Sequence, residues 1–270
     1  WVDFMEDKNI KEEASYIYDK NIKCPVCDKK FITSQVKTGK TRFMGSDDDL
    51  RPRYLNIDTI KYDVCMCPYC GYAAVMRDYE NVSENQRKVL RAKIGNKYNA
   101  MMIDTGVYSY DTAIRRYKMA LLTATVKPSK LSEASYLCLK LSWLYKGKIE
   151  AIQSGQEQGT EADIEKCQNN INKYENIAYN GFKEALLSEF PPICGMNEVT
   201  VNLLMAVLGN ECKDYTDAKK FAFMVVSSRS TTQKTKEKAR NIIEDIKRKQ
   251  KEEGISDEPL EDDDSVENNQ

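Results

Sequence analysis

Apolar residues recur at helical spacing through most of the chain from Ser83 onward. The letters SENQ open this part with a capping box, in which the Ser83 hydroxyl and the Gln86 side chain each bond the other residue's backbone N–H. Apolar positions continue through Tyr98 and Met101, so we expect the first helix to carry its apolar face as far as Met101. The pattern predicts helices over residues 83–250.

A spacing of small and aromatic residues recurs within the predicted helices. It is the A-x3-aromatic-x2-A pattern that packs the second helix of a tetratricopeptide-like (TPR-like) repeat. Two copies and a degenerate third occur at Ala113, Tyr117 and Ala120, at Ala178, Phe182 and Ala185, and at Ala218, Ala222 and Val225. Successive copies begin 65 and 40 residues apart, whereas such repeats ordinarily recur about every 34 residues. We predict a TPR-like antiparallel helical-repeat domain, with an irregular helical bundle as the alternative.

Residues 20–80 carry a different pattern, typical of short strands and loops. KKFITSQVKTGKTRFM is rich in β-branched and aromatic residues and has Gly39 for a turn, and YLNIDTIKYDVCMC alternates like a strand. Few positions in this part can be buried, so we expect it to depend on a bound metal for its stability. The fold class is therefore α+β, mostly α, with a small N-terminal β module ahead of the helices.

The two ends of the chain differ from the parts between them. The last residues, 252–270, hold nine acids and no base, a composition that predicts disorder. No apolar run approaches the roughly 18 residues that span a bilayer, so we expect no membrane association, while a leader upstream of Trp1 stays open. We divide the sequence into an N-terminal helix or arm (1–19), the β module (20–80), the helical domain (83–250) and an acidic tail (251–270).

Histidine is absent from the sequence, and that absence removes several classes of enzyme. A chain without imidazole has no Ser-His-Asp triad, no Cys-His nucleophile pair and no His-ligated zinc hydrolase. We find no other catalytic constellation and expect a protein that is not an enzyme. A metal would have to be held by cysteine or carboxylate, and the chain has nine cysteines. Clustered cysteines in a chain without a visible secretion signal indicate metal ligands in a reducing cytoplasm.

Two C-x-x-C turns, CPVC at 24–27 and CPYC at 67–70, predict a four-cysteine metal site. A tight turn directs two thiolates three residues apart at one ion, and two such turns supply the four soft ligands of tetrahedral zinc. Redox-active dithiols are the alternative, although neither segment offers the helix start that such motifs need. We predict a structural Zn²⁺ in a zinc-ribbon-like module, held by Cys24, Cys27, Cys67 and Cys70.

The residues next to these turns refine the prediction. Gly71, after the second turn, can take a positive φ that lets backbone N–H groups point toward the sulfurs, and Asp28 takes the equivalent place after the first. Cys65 shares a strand face with Cys67 and could approach the metal, but a four-coordinate site has no place for it. We expect Cys65 to be a half-buried strand residue, and its role stays open.

Charged residues in the β module raise two further questions. The acidic run Asp47–Asp49 could form a second, oxygen-ligand metal site, but we favour solvated carboxylates that pair with Arg51 and Arg53. Residues 20–42 hold seven Lys or Arg against one acid, which is the one indication of nucleic-acid binding in the sequence. Basic residues around a zinc thiolate also balance its charge, so this indication is weak.

Three segments of the β module together resemble a known family. KCPVCDKKF, a following DxxLRPRY and then YDVCMCPYCGYAA are similar, over residues 20–80, to the bacterial family DUF 2225. The resemblance implies a cytoplasmic bacterial protein that continues as helices, and it maps the family's cysteine pattern onto the same four ligands. Cys65 stands where the family usually has another residue. The resemblance implies no activity.

Two classes of function follow from these features, with a third behind them. The first is a non-enzymatic zinc-binding scaffold or adaptor module, whose helical repeats present a surface to a protein or peptide partner. The second is a nucleic-acid-associated zinc-ribbon protein that uses the basic part of the β module. The third is a thiol redox protein.

Overall fold

A computed structural model describes residues 11–255 of the protein. The fold is α+β and mostly α, with short antiparallel sheets near the N-terminus, as predicted. Residues 11–14 are helical; the rest of the predicted N-terminal arm up to residue 10, and the acidic tail from residue 256, lie outside the described residues. The chain divides into two compact units, one ending at Glu189 and the other beginning at Phe190. This division falls within residues 83–250, which the sequence analysis assigned to a single helical domain.

Short antiparallel hairpins form the β part of the described chain. In two of them, the C-x-x-C segments are the turns that join the strands. The expected long strand before the second C-x-x-C is wrong: Thr59–Tyr62 is a 3₁₀ turn, because the Asp58 carboxylate accepts the N–H of Ile60 and caps it. The hairpins are β1 (Ile17–Lys23) with β2 (Lys30–Val36), β3 (Phe43–Ser46) with β4 (Pro52–Tyr54), and β5 (Val64–Met66) with β6 (Ala73–Val75).

The longer helices follow the β part and belong to both units. The first unit holds α1 (Glu84–Lys93), α2 (Tyr110–Val126), α3 (Leu131–Gln153) and α4 (Glu161–Ala185). The second unit holds α5 (Glu198–Glu211), α6 (Tyr215–Ser227) and α7 (Gln233–Glu253). Within each unit, consecutive helices from α2 onward pack against each other. Their short connections make these neighbours antiparallel.

The capping box at Ser83 and Gln86 is confirmed, since both of its hydrogen bonds are present. The expected length of α1 is wrong, because the helix ends at Lys93 and a separate 3₁₀ turn follows at Gly95–Lys97. Gly and Asn in that turn have weak helix propensity. The chain then runs beside the second C-x-x-C turn, where the Met101 N–H donates to the Pro68 carbonyl at 2.9 Å.

The predicted small and aromatic positions lie where helices pack. Their side chains are at most 1% exposed, on α2, α4 and α6, which is every second helix from α2. Small side chains there let neighbouring helices approach closely, and the aromatic ring fills the space beside them. Between α5 and α6, Asp214 caps the second of the two helices, while Gly209 is buried inside the first.

The β part is packed on α1 and α2 rather than exposed. The Tyr117 hydroxyl of α2 donates to the Ile60 carbonyl at 3.1 Å, and the Ala73 N–H donates to the Thr123 hydroxyl at 3.3 Å. The expectation that the β module buries little is wrong. One cluster of buried side chains combines residues of the β1–β2 and β5–β6 hairpins with Leu90 of α1 and Ile94 just after it, and Phe31, Tyr72 and Tyr79 belong to the same cluster.

Candidate metal centre

Two turns of matching geometry carry the four predicted ligands. We call residues 24–29 the first Cys turn and residues 67–72 the second Cys turn. In each, the leading cysteine donates its N–H to the carbonyl five residues on, at 3.0 Å in the first and 2.8 Å in the second. Its own carbonyl accepts the N–H four residues on, at 2.9 and 3.0 Å. Those donors, Asp28 and Gly71, have φ values of 64° and 70°, the left-handed backbone predicted for both.

The two turns bring the four sulfurs together. All four Sγ atoms lie within 4.8 Å of one another. The shortest pairs join one turn to the other, with Cys24 Sγ 3.7 Å from Cys70 Sγ and Cys27 Sγ 3.6 Å from Cys67 Sγ. A tetrahedral zinc ion with bonds of about 2.3 Å has sulfur–sulfur edges of about 3.8 Å. The arrangement therefore fits a single four-coordinate ion.

The sulfurs are shielded from water, and backbone groups are directed at them. Cys24 and Cys67 are fully buried, Cys70 is 6% exposed, and Cys27 is partly exposed. The N–H of Val26 donates to Cys24 Sγ at 3.4 Å. Backbone donors from the second Cys turn likewise reach Cys67 and Cys70. Such donors stabilise thiolates, as metal-bound cysteines require.

The ionisation of the four thiols is coupled. Hydrogen bonds from Cys67 and then Cys70 lower the pKa of Cys24 to about 2. The hydrogen bond with Cys24 raises the pKa of Cys67 to about 12, and it also raises the pKa of Cys70. Ionisation of one thiol is thus favoured, and the negative charge of that thiolate opposes ionisation of a second thiol. A divalent cation would offset this repulsion and allow all four to ionise.

An arginine of α1 reaches the first Cys turn from a distant part of the sequence. Arg91 Nη2 donates to the Asp28 carboxylate at 3.1 Å, and its Nε donates to the Val26 carbonyl. Asp28 also pairs with Lys23 at 3.4 Å. The sequence analysis missed Arg91, because nothing in the local pattern links it to residues more than 60 positions earlier. It fastens α1 to the turn.

Cys65 lies in the same buried cluster but outside the group of four sulfurs. It is 0% exposed, so the expectation of half burial is wrong. The reason is that β5 has the cysteine cluster on one side and packs against α2 as well. Burial raises the pKa of its thiol to about 12, which keeps it neutral. Cys65 is a packed apolar side chain in this structure.

The acidic run Asp47–Asp49 pairs with basic side chains. Within residues 11–255, the ligand atoms of this run do not gather into a group that could hold a metal, whereas those of the four cysteines do. Asp47 pairs with Arg53 as expected, at 2.7 Å. The expectation that the carboxylates of this run are solvated is wrong for Asp49, which is 6% exposed and pairs with Lys146 of α3 at 2.7 Å. Arg51 uses its side chain elsewhere, on Asp58 and Glu150.

The fold and this site define a mostly helical α+β protein with an N-terminal four-cysteine cluster that could bind a metal ion. The chain belongs to the family described as "Uncharacterized protein conserved in bacteria (DUF2225)", whose family model matches residues 17–252. The resemblance found in the β module is thereby confirmed.

A curated relative of the chain comes from Borreliella burgdorferi, where it is an uncharacterized protein. It is 28% identical over 140 residues, which cover 49% of this chain and 46% of the relative. The match thus spans about half the length of that protein. No solved structure matches the chain. Among the described residues, no helix combines the length and apolar character needed to cross a membrane.

Proposed function

We propose that the four cysteines hold one structural Zn²⁺ and that the protein is a non-enzymatic interaction module. The observation that carries the proposal is the convergence of two matched turns, which puts four sulfurs within 4.8 Å inside a buried cluster. Four thiolates fill the coordination of tetrahedral zinc and leave no open position for a substrate. The ion would join the β1–β2 and β5–β6 hairpins to each other.

The surroundings of the cysteines favour metal binding over dithiol redox chemistry. Redox-active C-x-x-C motifs begin a helix, whose N-terminus stabilises the attacking thiolate. Here both motifs are hairpin turns between strands. The shortest sulfur–sulfur distances also join different turns rather than the two cysteines of one motif.

A partner-binding surface beside the second Cys turn completes the proposal. Met101, Met102 and Ile103 are 41%, 92% and 40% exposed, and the Met101 N–H bonds to Pro68 of that turn. Three neighbouring exposed apolar side chains are typical of a protein or peptide docking site. The small-residue pattern on every second helix supports a TPR-like arrangement of the helices within each unit. The clustered free cysteines of the described chain favour a reducing compartment, and the cytoplasm is the location we propose.

The zinc proposal is tested by metal analysis of the purified protein and four cysteine variants. We expect one zinc per chain, and a cobalt-substituted form with the absorption of a tetrahedral tetrathiolate. Cys24→Ser, Cys27→Ser, Cys67→Ser and Cys70→Ser should each lose the tetrathiolate spectrum, and Cys65→Ser should keep it. Full zinc occupancy with an unchanged spectrum in any of the four variants would reject the ligand assignment.

The partner proposal is tested by photocrosslinking in cells from a probe at position 102. We expect discrete protein adducts there, and none from the same probe at Leu187, which is similarly exposed (87%) on the loop after α4. Equal labelling from both positions would reject a specific docking surface. Adducts destroyed by nuclease rather than protease would favour the nucleic-acid alternative.

A further inference from the structure

Two arginines of the first unit converge on a single carboxylate, that of Glu150 near the end of α3. Arg53 donates from both terminal nitrogens to the two Glu150 oxygens, each at 2.7 Å. Arg51 does the same from another direction, at 3.1 and 3.2 Å. The Glu150 carboxylate therefore accepts four N–H bonds from two guanidinium forks. Two bidentate forks on one group form a strong oxyanion clamp.

A cavity of about 320 Å³ opens beside this pair of forks. Arg51, Arg53 and Glu150 line it, together with Lys61 and Tyr110. Its volume is in the range of small-molecule sites, in which convergent polar groups fix the orientation of the ligand. We call it the arginine-fork cavity.

Glu150 differs from Asp58 and Glu13, two other carboxylates of this cavity, in how it is held. Asp58 accepts from Arg51, from the Tyr110 hydroxyl at 2.9 Å and from a backbone N–H, and its side chain is 14% exposed. Glu13 is held by buried Lys61 at 2.7 Å and is 15% exposed. The Glu150 side chain is 46% exposed. Of these three carboxylates, Glu150 has the most exposed side chain and is the one we expect to leave most readily; Glu12, also on the lining, is exposed and accepts from Asn56 rather than from an arginine.

Arg51 retains unused capacity for a ligand. Its side chain is 2% exposed, and its Nε–H has no hydrogen-bond partner among the described residues. A buried donor without a partner is unfavourable for the folded state, so a ligand atom that accepts from it adds affinity. An oxyanion larger than the Glu150 carboxylate, or placed differently, could use this donor as well.

We propose that the arginine-fork cavity binds a small anion through a carboxylate or phosphate group, which replaces the Glu150 carboxylate on Arg51 and Arg53. When Glu150 leaves, the N–H groups of Arg51 and Arg53 that held it become available to the cavity, while Arg51 keeps its pair with Asp58 and Arg53 its pair with Asp47. Lys61, paired with Glu13, adds a third cation to the lining. Tyr110 also lines the cavity, where the Lys61 ammonium group lies 5.2 Å from the centre of its ring. This site is independent of the metal proposed for the cysteines.

A purely structural role for the same ion pairs makes different predictions. If Glu150 only fastens β4 to α3, its removal should lower stability and create no affinity for anions. If it occupies an anion site, its neutralisation should remove the competitor and raise anion affinity. The Arg53 side chain is 38% exposed, so a variant there can lose the fork while the chain still folds.

The test is calorimetric titration at low chloride with two probes, inorganic phosphate and succinate, on the full chain. We expect Glu150→Gln to bind at least one probe about tenfold more tightly than the unmodified protein. The double variant Glu150→Gln/Arg53→Gln should lose that gain in affinity. Lys166→Gln, which removes an exposed lysine of α4, should leave the affinity for both probes unchanged. The preferred probe decides between a phosphate and a carboxylate ligand.

Two results would overturn the proposal. One is the absence of binding of either probe to both the unmodified protein and Glu150→Gln. The other is binding that Arg53→Gln leaves unchanged, which would place the anion elsewhere. Helical circular dichroism checks that each variant is folded, and Glu150→Asp, which shortens the competing side chain, replaces Glu150→Gln if that variant does not fold.

Discussion

Gly71 and Tyr98 are in contact across the second Cys turn: the Tyr98 ring occupies the space that a side chain at Gly71 would need. Gly71 also has a φ of 70°, a backbone conformation that favours glycine. Asp28, its counterpart in the first Cys turn, has a similar φ, and its carboxylate pairs with Arg91. The two turns match in backbone conformation and differ in the side chain that contacts this position, which is Tyr98 in the second turn and Arg91 in the first.

Gly71→Ala should destabilise the first unit by more than about 2 kcal/mol. The left-handed backbone alone disfavours a non-glycine residue by about 1–2 kcal/mol, and the added methyl group must also displace the Tyr98 ring. The effect should appear as a lower midpoint in urea unfolding of the zinc-loaded protein.

Gly39→Ala is the matched control for this substitution. Gly39 has a φ of 78°, but nothing lies within 4 Å of the position of an added methyl group. It should therefore show the backbone effect alone. Equal losses of stability in Gly39→Ala and Gly71→Ala would mean that the Tyr98 contact has no energetic consequence.

Stripping the metal with a strong chelator should loosen the hairpins and α1 together. The sulfurs belong to one buried cluster with Leu90 and Ile94, so loss of the ion would expose a shared core. Hydrogen–deuterium exchange should rise in peptides from residues 17–36 and 64–94. The second unit, from Phe190, should stay protected.

The same chelator saturated with zinc beforehand is the control and should leave exchange unchanged. A rise confined to residues 24–29 and 67–72 would show that the Cys turns move without the cluster. A rise that extends through α5, α6 and α7 would show that the two units unfold together.

Ala178→Leu should destabilise the protein by about 1–3 kcal/mol. Ala178 of α4 is 0% exposed, so extra methyl groups there must push neighbouring side chains out of a packed core. The control is Ala162→Leu, at an exposed position on the same helix, which should be nearly neutral. Thermal unfolding of the two variants gives the comparison. Similar effects at both positions would contradict close packing at Ala178.

Asp245 should make the second unit sensitive to acid. Hydrogen bonds from Arg248 and then Asn210 lower the pKa of this carboxyl to about 2. Because the pKa in the unfolded chain is about 3.9, the ionised form stabilises the folded state above about pH 4, and this contribution is lost as pH falls toward 2. Asp245→Asn should therefore unfold with a flatter pH dependence in that window.

Glu237→Gln is the control for the pH experiment, since it removes an exposed carboxylate from the same helix. It should keep the pH dependence of the unmodified protein. Urea unfolding at several pH values gives the comparison. An Asp245→Asn profile that parallels the control would mean that the Asp245 interactions contribute no stability.

Local patterns account for the parts that the sequence predicted well. The four cysteines come in two C-x-x-C pairs, and each pair defines its own turn, so only the meeting of the two turns had to be assumed. The Ser83 capping box and the buried small residues likewise depend on neighbours within a few positions. Such features follow from backbone geometry and helical period.

The features that the sequence did not predict depend on distant contacts. Arg91 meets the first Cys turn, and Glu150 meets two arginines almost 100 positions earlier. Asp49 is buried because Lys146 lies opposite it. In each case a charged residue that a local pattern assigns to the surface acquires a partner only when the hairpins pack on the helices.

The spacing of the two Cys turns has a consequence for synthesis on the ribosome. Cys24 and Cys70, whose sulfurs are neighbours, are 46 positions apart, so a growing chain presents the first pair of thiols well before the second. During that interval the nascent protein holds half a ligand set, open to exchange with any free ion or thiol nearby. Translation must also continue beyond α1 and α2 before the hairpins have helices to pack on. The two Cys turns can therefore pack in their final surroundings only after α2, which ends at Val126, has been made, and a chain that stalls earlier would leave Cys24 and Cys27 without this packing.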